Sequence, residues 1–337
     1  MKKLVFFVMC AFLLAGCGTQ NHGFVKNAEP TSSATERPKK EQKKTTEEVY
    51  TTTSDMFEIK NGVLVRYNGG YKKAFKIVLP ETVKEIGSKA FSLTNQERKN
   101  VFRFKVSSIK IPPDVKLQEN AFYGTGPLKV ELLNGRTKVE KRAFSEMGKY
   151  GCEPEISLAN SIKTIEEYAF YEENGTKKVN LNHSLERIEK YGLYGALHSD
   201  LPESIRYLGD NSLGYTKEQI TKLPENLEYI GECCITLYNG RIKIPPHVKK
   251  IAINAVVWDC TNADVQGFDV DEKNQHYKSD ANGWLYSKDG KTLYYAYRSG
   301  SENNLVIPKR VKKIFKYGIH MYDDDFAPGE VAKIIRK

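Results

Sequence analysis

The stretch Leu79-Pro80-Glu81-Thr82-Val83-Lys84-Glu85-Ile86-Gly87-Ser88-Lys89-Ala90-Phe91 decides the fold, because its pattern does not occur only once. Reduced to Leu/Ile-Pro-x-x-Val/Leu-x-x-Ile-x-x-x-Ala-Phe, it returns about every 20 to 26 residues. Degenerate copies centre on Leu117, Val139, Ile165, Ile188, Leu208, Ile230, Ile251 and Ile314. A unit this short cannot bury its own apolar face, so it must stack on its neighbours, and a β-rich solenoid follows. Such arrays expose long regular surfaces and rarely hold catalytic pockets. The repeat therefore favours binding over catalysis.

Within a copy, a short alternating segment comes first: Ile109-Lys110-Ile111, Val130-Glu131-Leu132, Ile156-Ser157-Leu158, Val179-Asn180-Leu181 and Ile242-Lys243-Ile244. Period two sends the outer residues inward and the middle one to solvent. Pro80, Pro112, Pro202, Pro224, Pro245 and Pro308 then end the strand, where a corner needs no ladder donor. A second inward pair follows, such as Val83 with Ile86 or Leu227 with Ile230, and then Phe91, Phe122, Phe144 or Phe170. Stacked Phe rings are read as core, filling the width of each coil, rather than as an aromatic ligand platform.

Two hairpins bracket the array. Asn61-Gly62 lies between Phe57-Glu58-Ile59-Lys60 and Val63-Leu64-Val65, and Asp289-Gly290 lies between Trp284-Leu285-Tyr286 and Thr292-Leu293-Tyr294-Tyr295. Both are turn dipeptides between β-forming arms. The first is expected to cap the open N-terminal end of the coil, and the second to form an island inside the array.

This pattern resembles the BspA-like leucine-rich repeat family of bacterial surface proteins across about residues 57–322. Some copies are poor: Leu193, Leu213, Ile235 and Val256 replace the Phe. The resemblance implies a right-handed coil of stacked short parallel strands with the strands on its concave side. It names no ligand.

The N-terminus reads as an export signal, with Lys2 and Lys3, the apolar run Leu4 to Leu14, and Leu14-Ala15-Gly16-Cys17. That last string resembles the lipobox of bacterial lipoproteins, which implies cleavage before Cys17 and acylation of that residue. Residues 18–55 are rich in Thr, Ser, Glu, Lys and Gln, and read as a disordered tether spanning about 30–35 Å on average. The expected organisation is signal peptide 1–16, lipidated Cys17 and tether 17–55, cap hairpin 56–77, repeats 78–259, hairpin island 260–304, and last repeat with C-terminal cap 305–337. In the tail, Val331, Ile334 and Ile335 have helical spacing, and Asp323-Asp324-Asp325 reads as a solvated loop.

A net charge of +10 suits contact with anionic lipids or acidic envelope polymers, and the export signal argues against nucleic acid. Of six cysteines, Cys152, Cys233, Cys234 and Cys260 remain after the signal and the acylation site. Cys234 stands where other copies have Ala and reads as a buried thiol; a Cys233–Cys260 disulfide stays open.

The position before each anchor gives Glu85, Lys116, Lys138, Thr164, Arg187, Tyr207, Tyr229, Lys250 and Lys313, a solvent-facing ladder. Tyr207 and Tyr229 fall on adjacent coils with Arg187 and Lys250 outside them, which suits an acidic protein loop or anionic glycan. Trp284, Tyr286 and Tyr295, with Tyr294 and Tyr297, gather in the island. They serve either as exposed contact aromatics or as packing against the repeats. No Gly-x-Ser-x-Gly, His-Glu-x-x-His or paired-carboxylate spacing appears, so an enzyme is not expected, and neither a cofactor nor a metal is implied. The expected function is a membrane-anchored protein- or glycan-binding module at the bacterial cell surface. The alternatives are a passive envelope assembly protein or, further off, a glycan-processing enzyme.

Overall fold

The computed structural model describes residues 48–173, 177–198, 200–215, 220, 222–237, 240–252, 255–258, 265–298, 304–315, 319–321 and 333–336. They belong to one compact unit, Glu47–Lys337, and among the described residues every buried apolar side chain falls between Phe57 and Val311.

Each coil contributes to three rails. The first is a seven-stranded parallel sheet in the order Val49–Thr51, Ala74–Ile77, Ser107–Ile111, Leu128–Leu132, Glu155–Ser157, Lys178–Asn180, Leu197–His198. Ser107–Ile111 and Leu128–Leu132 alternate buried and exposed as period two requires. At the corners, Val83, Val115, Ile205, Leu227 and Val248 donate their N–H to the carbonyls of Pro80, Pro112, Pro202, Pro224 and Pro245. Proline ends the strand and starts the turn in one step.

The second rail is a parallel ladder of two-residue strands: Lys138–Val139, Thr164–Ile165, Arg187–Ile188, Tyr207–Leu208, Tyr229–Ile230 and Lys250–Ile251. Each buries its second residue and turns the first outward. The third rail lies at the Ala-Phe step. Lys89, Asn120, Arg142, Tyr168, Tyr191 and Asn211 all have positive φ there. Their N–H groups donate to a carbonyl of the following coil, for instance Tyr191 to Asp210 at 2.9 Å. The unfavourable backbone at these positions is held by coil-to-coil hydrogen bonds. Inside, Phe91, Phe122, Phe144 and Phe170 stack at 4.9, 4.9 and 5.3 Å with their planes within 16°. Full burial gives each about 1.5–3 kcal/mol.

The N-terminal hairpin forms as expected. Phe57–Lys60 pairs antiparallel with Val63–Tyr67 through Asn61-Gly62, both at positive φ. Val63–Tyr67 then pairs in parallel with Glu85–Ile86, so the hairpin seals the first coil by joining its ladder. The tether reading extends too far, however. Val49–Thr51 is the edge strand of the long sheet, and Thr52 Oγ1 takes the N–H of Val78 at 3.0 Å. Ladder hydrogen bonds need no apolar side chain, which is why a Thr-rich segment can still be ordered at an open edge.

The island is a three-stranded antiparallel meander of Tyr277–Ser279, Leu285–Ser287 and Thr292–Arg298. It continues the array: Thr292–Arg298 pairs in parallel with Lys313–Ile314 and with Ile319–Met321. The helical spacing of the tail is also corrected. Lys333–Arg336 is a strand parallel to Asn304–Ile307, and this backbone pairing outweighs a weak 3.6-residue pattern. Val331 and Asp323-Asp324-Asp325 lie outside the described residues, as do Cys17 and the signal. Cys234 is buried, with its sulfur 3.1 Å from Ser212 Oγ, and burial pushes its thiol up to about 12. Cys260, and with it the Cys233–Cys260 pairing, lies outside the described residues.

Candidate ligand-binding ladder

The register of the short-strand rail aligns Arg187 with Tyr207, Tyr207 with Tyr229, and Tyr229 with Lys250. The backbone thus delivers four side chains, expected as a group from their sequence positions, onto one line. The tyrosine rings stack with centroids 4.7 Å apart and planes 7° apart. The Arg187 guanidinium lies over Tyr207 at 3.8 Å, and the Lys250 ammonium over Tyr229 at 5.2 Å. A cation therefore closes each end of a two-ring stack. Such contacts contribute about 0.5–1 kcal/mol each when exposed.

Arg187 also holds Glu189 Oε1 at 2.9 and 3.0 Å, which fixes its plane. Both phenols are raised above their ordinary pKa. For Tyr207 the causes are partial burial and then the charge of Glu189; for Tyr229, partial burial and then Asp210. They stay protonated, so each hydroxyl can donate a hydrogen bond to a ligand. Because the ring faces are taken by each other and by the two cations, a ligand meets ring edges and hydroxyls, with Arg187 already paired to Glu189, Asp210 beside both phenols, and Lys250 at the far end. This geometry leaves no open ring face on which a neutral sugar could stack.

A second tyrosine group escaped the sequence reading. Tyr168 stacks on Tyr191 at 4.7 Å, Tyr171 on Tyr194 at 5.2 Å, and Tyr194 on Tyr215 at 5.8 Å. Arg142 lies over Tyr168 at 4.3 Å, repeating the cation-capped stack. The signal was present: Tyr168-Ala169-Phe170-Tyr171 and Tyr191-Gly192-Leu193-Tyr194 occupy the same repeat position. The two groups share a neighbour in Asp210: Tyr191, Tyr207 and Tyr229 are each raised first by burial, and the charge of Asp210 adds to all three.

The island aromatics are not part of this surface. Trp284, Tyr286 and Tyr295 are 7%, 0% and 4% exposed, so the exposed alternative is corrected. Trp284 and Tyr286 pack with Leu293, Ala296, Ile307 and Val311. Tyr295 Oη accepts the N–H of Ala255 at 2.7 Å, and Tyr277 Oη that of Ile251 at 3.0 Å. These hydroxyls satisfy backbone donors of the preceding coil. Coils on both sides thus cover Trp284, Tyr286 and Tyr295.

The mid-strand stripe also behaves differently from the tyrosine ladder. Lys110 pairs with Glu131 at 2.8 Å, Asn180 with Glu155 at 2.7 Å, and Lys222 with Glu203 at 2.6 Å. An open groove of about 1010 Å³ runs over this face, lined by Lys76, Lys110, Lys129, Glu131, Glu155 and Ser157. Its Lys110–Glu131 and Lys129–Glu155 pairs, at 2.8 and 3.4 Å, offset two of the three lysines, so the groove carries only a weak positive sign. Among the described residues, no three His, Cys, Asp or Glu side chains gather closely enough to hold a metal, and no helix is long and apolar enough to cross a membrane.

A family model described as the BspA type leucine rich repeat region matches six copies, over residues 69–150, 97–199 and 149–263. Three solved structures are similar. The pneumococcal vaccine antigen PcpA is 18% identical, with 77% of this chain and 58% of that one covered and a TM-score of 0.28. A leucine rich cell surface protein from Faecalibacterium prausnitzii is 15% identical, with 78% and 69% covered and a TM-score of 0.35. A leucine-rich repeat protein from Eubacterium ventriosum is 16% identical, with 66% and 49% covered and a TM-score of 0.25. The chain thus spans little more than half the length of the first. No curated protein matches the sequence.

Proposed function

From the premise that this chain belongs to the BspA type leucine-rich repeat family, we propose that it is a recognition module of the bacterial cell surface, held to the membrane by acylated Cys17. It binds an acidic partner, a protein loop or anionic glycan, and performs no chemistry. The observation that carries this reading is the Arg187–Tyr207–Tyr229–Lys250 stack, a preorganised edge of hydroxyls and cations across four coils. Preorganisation lowers the entropic cost of binding, and Tyr and Arg are the side chains that dominate interface energetics.

Residues 47–337, probed against arrays of acidic glycans and envelope or host proteins, are expected to retain a ligand. Tyr207→Ser/Tyr229→Ser is expected to weaken that binding by at least about tenfold, the loss of one modest hot spot. Because attraction between exposed charges is screened, binding is also expected to fall as salt rises. Binding that survives the double substitution places the site elsewhere, and an array with no ligand counts against the module reading. The anchor is tested separately. Labelled fatty acid is expected to incorporate into the whole chain and to be lost in Cys17→Ser.

A further inference from the structure

The longest interval between successive Phe steps, from Phe91 to Phe122, contains an insertion at residues 94–106 with the sequence Thr-Asn-Gln-Glu-Arg-Lys-Asn-Val-Phe-Arg-Phe-Lys-Val. Its 3-10 segment, Glu97–Arg103, is pinned at its start. Thr94 N–H and hydroxyl both donate to Glu97 Oε2 at 2.8 Å, and Arg98 Nε donates to the Leu93 carbonyl at 3.2 Å. It is pinned at its end by Lys105 N–H to the Tyr71 carbonyl at 2.8 Å and by Phe104 against the Tyr71 ring at 5.7 Å. Val101 and Phe104 pack onto the buried cluster of Tyr71, Leu93 and Cys152.

Phe102 lies between them and points the other way, 76% exposed, with Val106 at 51%. Phe102 and Phe104 are two residues apart, so one faces the protein and the other solvent. A Phe so largely exposed on a fastened loop adds little to the packing. On the same loop Lys99, Arg103 and Lys105 are exposed, and the exposed Lys72 and Lys73 follow Tyr71, with the Lys73 ammonium 4.5 Å from the Tyr50 ring. Glu97, half-buried and committed to Thr94, is the one acid within residues 94–106. Arg103 lies 5.4 Å from the Phe102 ring. This patch is on the first coils, next to the edge strand Val49–Thr51 through which the chain joins the sheet.

From this geometry we infer that residues 94–106 dock on an anionic lipid surface, with Phe102 and Val106 entering the headgroup–acyl boundary and the cation ring contacting lipid phosphates. An apolar tip inside a ring of Lys and Arg is complementary to a negatively charged bilayer interface. A protruding tip without a groove is a poorer match to a folded protein partner. The inference is independent of acylation at Cys17: the loop orients the solenoid on the membrane whether or not the anchor is present.

Co-sedimentation of residues 47–337 with vesicles tests it, using phosphatidylcholine alone and with a quarter phosphatidylglycerol. Binding is expected only to the anionic vesicles and to weaken as salt rises. Phe102→Ser, at an exposed site where folding is not at risk, is expected to weaken it at least about tenfold. Lys99→Gln/Arg103→Gln is expected to weaken it about 30-fold, five- to sixfold per cation. In Phe102→Trp, brominated acyl chains are expected to quench the added fluorescence. Three outcomes overturn the inference: no binding, binding to both vesicle types unaffected by Phe102→Ser, or self-association without lipid that Phe102→Ser abolishes.

Discussion

Phe144→Ala is expected to lower stability by about 3–5 kcal/mol, read as a shift in the urea or thermal midpoint. The ring is fully buried and stacks on Phe122 at 4.9 Å and on Phe170 at 5.3 Å. Its removal leaves a cavity that the flanking coils cannot close, because the three hydrogen-bonded rails hold their spacing. A solenoid is stabilised by nearest-neighbour interfaces, so a gap in the middle of the array should also split the unfolding transition in two. An unchanged midpoint would show that the Phe column does not bear the stability assigned to it.

Lys177→Met is expected to have an effect of similar size, about 3–5 kcal/mol, for an electrostatic reason. Lys177 is fully buried, and its Nζ donates to the carbonyls of Phe144 at 2.6 Å and Phe170 at 3.1 Å. It lies 3.6 Å from Glu172, itself fully buried, whose Oε2 accepts the Gly148 N–H at 2.8 Å. Removing the ammonium strands the Glu172 carboxylate and two carbonyls in a dry interior. The double variant Lys177→Met/Glu172→Met removes both charges together and is expected to recover part of the loss.

The same cluster predicts a pH dependence. Burial pushes Lys177 down from 10.5 to about 8, against the pull of Glu172 and Glu146. Glu146 is raised, by burial first and then by repulsion from Glu172. For Lys177 the folded chain binds fewer protons than the unfolded chain between about 8 and 10.5. Its contribution to stability therefore rises with pH across that window and is lost as pH falls through 8. The difference in stability between the native chain and Lys177→Met, followed by denaturation from pH 7 to 10, is expected to carry this slope; the raised thiol of Cys234 and the raised tyrosines titrate with the opposite sign in both proteins and cancel in the difference.

The tyrosine ladder was legible because a two-residue strand leaves only one outward position per coil. Counting back from Ile188, Leu208, Ile230 and Ile251 reaches Arg187, Tyr207, Tyr229 and Lys250 without ambiguity. The Tyr168 and Tyr191 stack was not, because those residues sit at a corner with φ of 58° and 55°. Neither strand nor helix periodicity says where a side chain points from such a backbone. The aromatic island stayed open between exposure and packing for a different reason. Its local alternation is that of a half-exposed hairpin, yet coils from both directions cover it.

The sequence alone determined the features set by near neighbours along the chain: the repeat, the inward pairs, the proline corners, the Phe column and the Asn61-Gly62 and Asp289-Gly290 turns. Each is fixed by side-chain size, period or backbone preference within a single copy. Only the tertiary structure decided the edge strand Val49–Thr51, the buried Lys177–Glu172 pair, the covered faces of Trp284 and Tyr286, and the strand at Lys333–Arg336. Backbone pairing is nearly blind to side-chain type, and burial depends on elements far away in the chain.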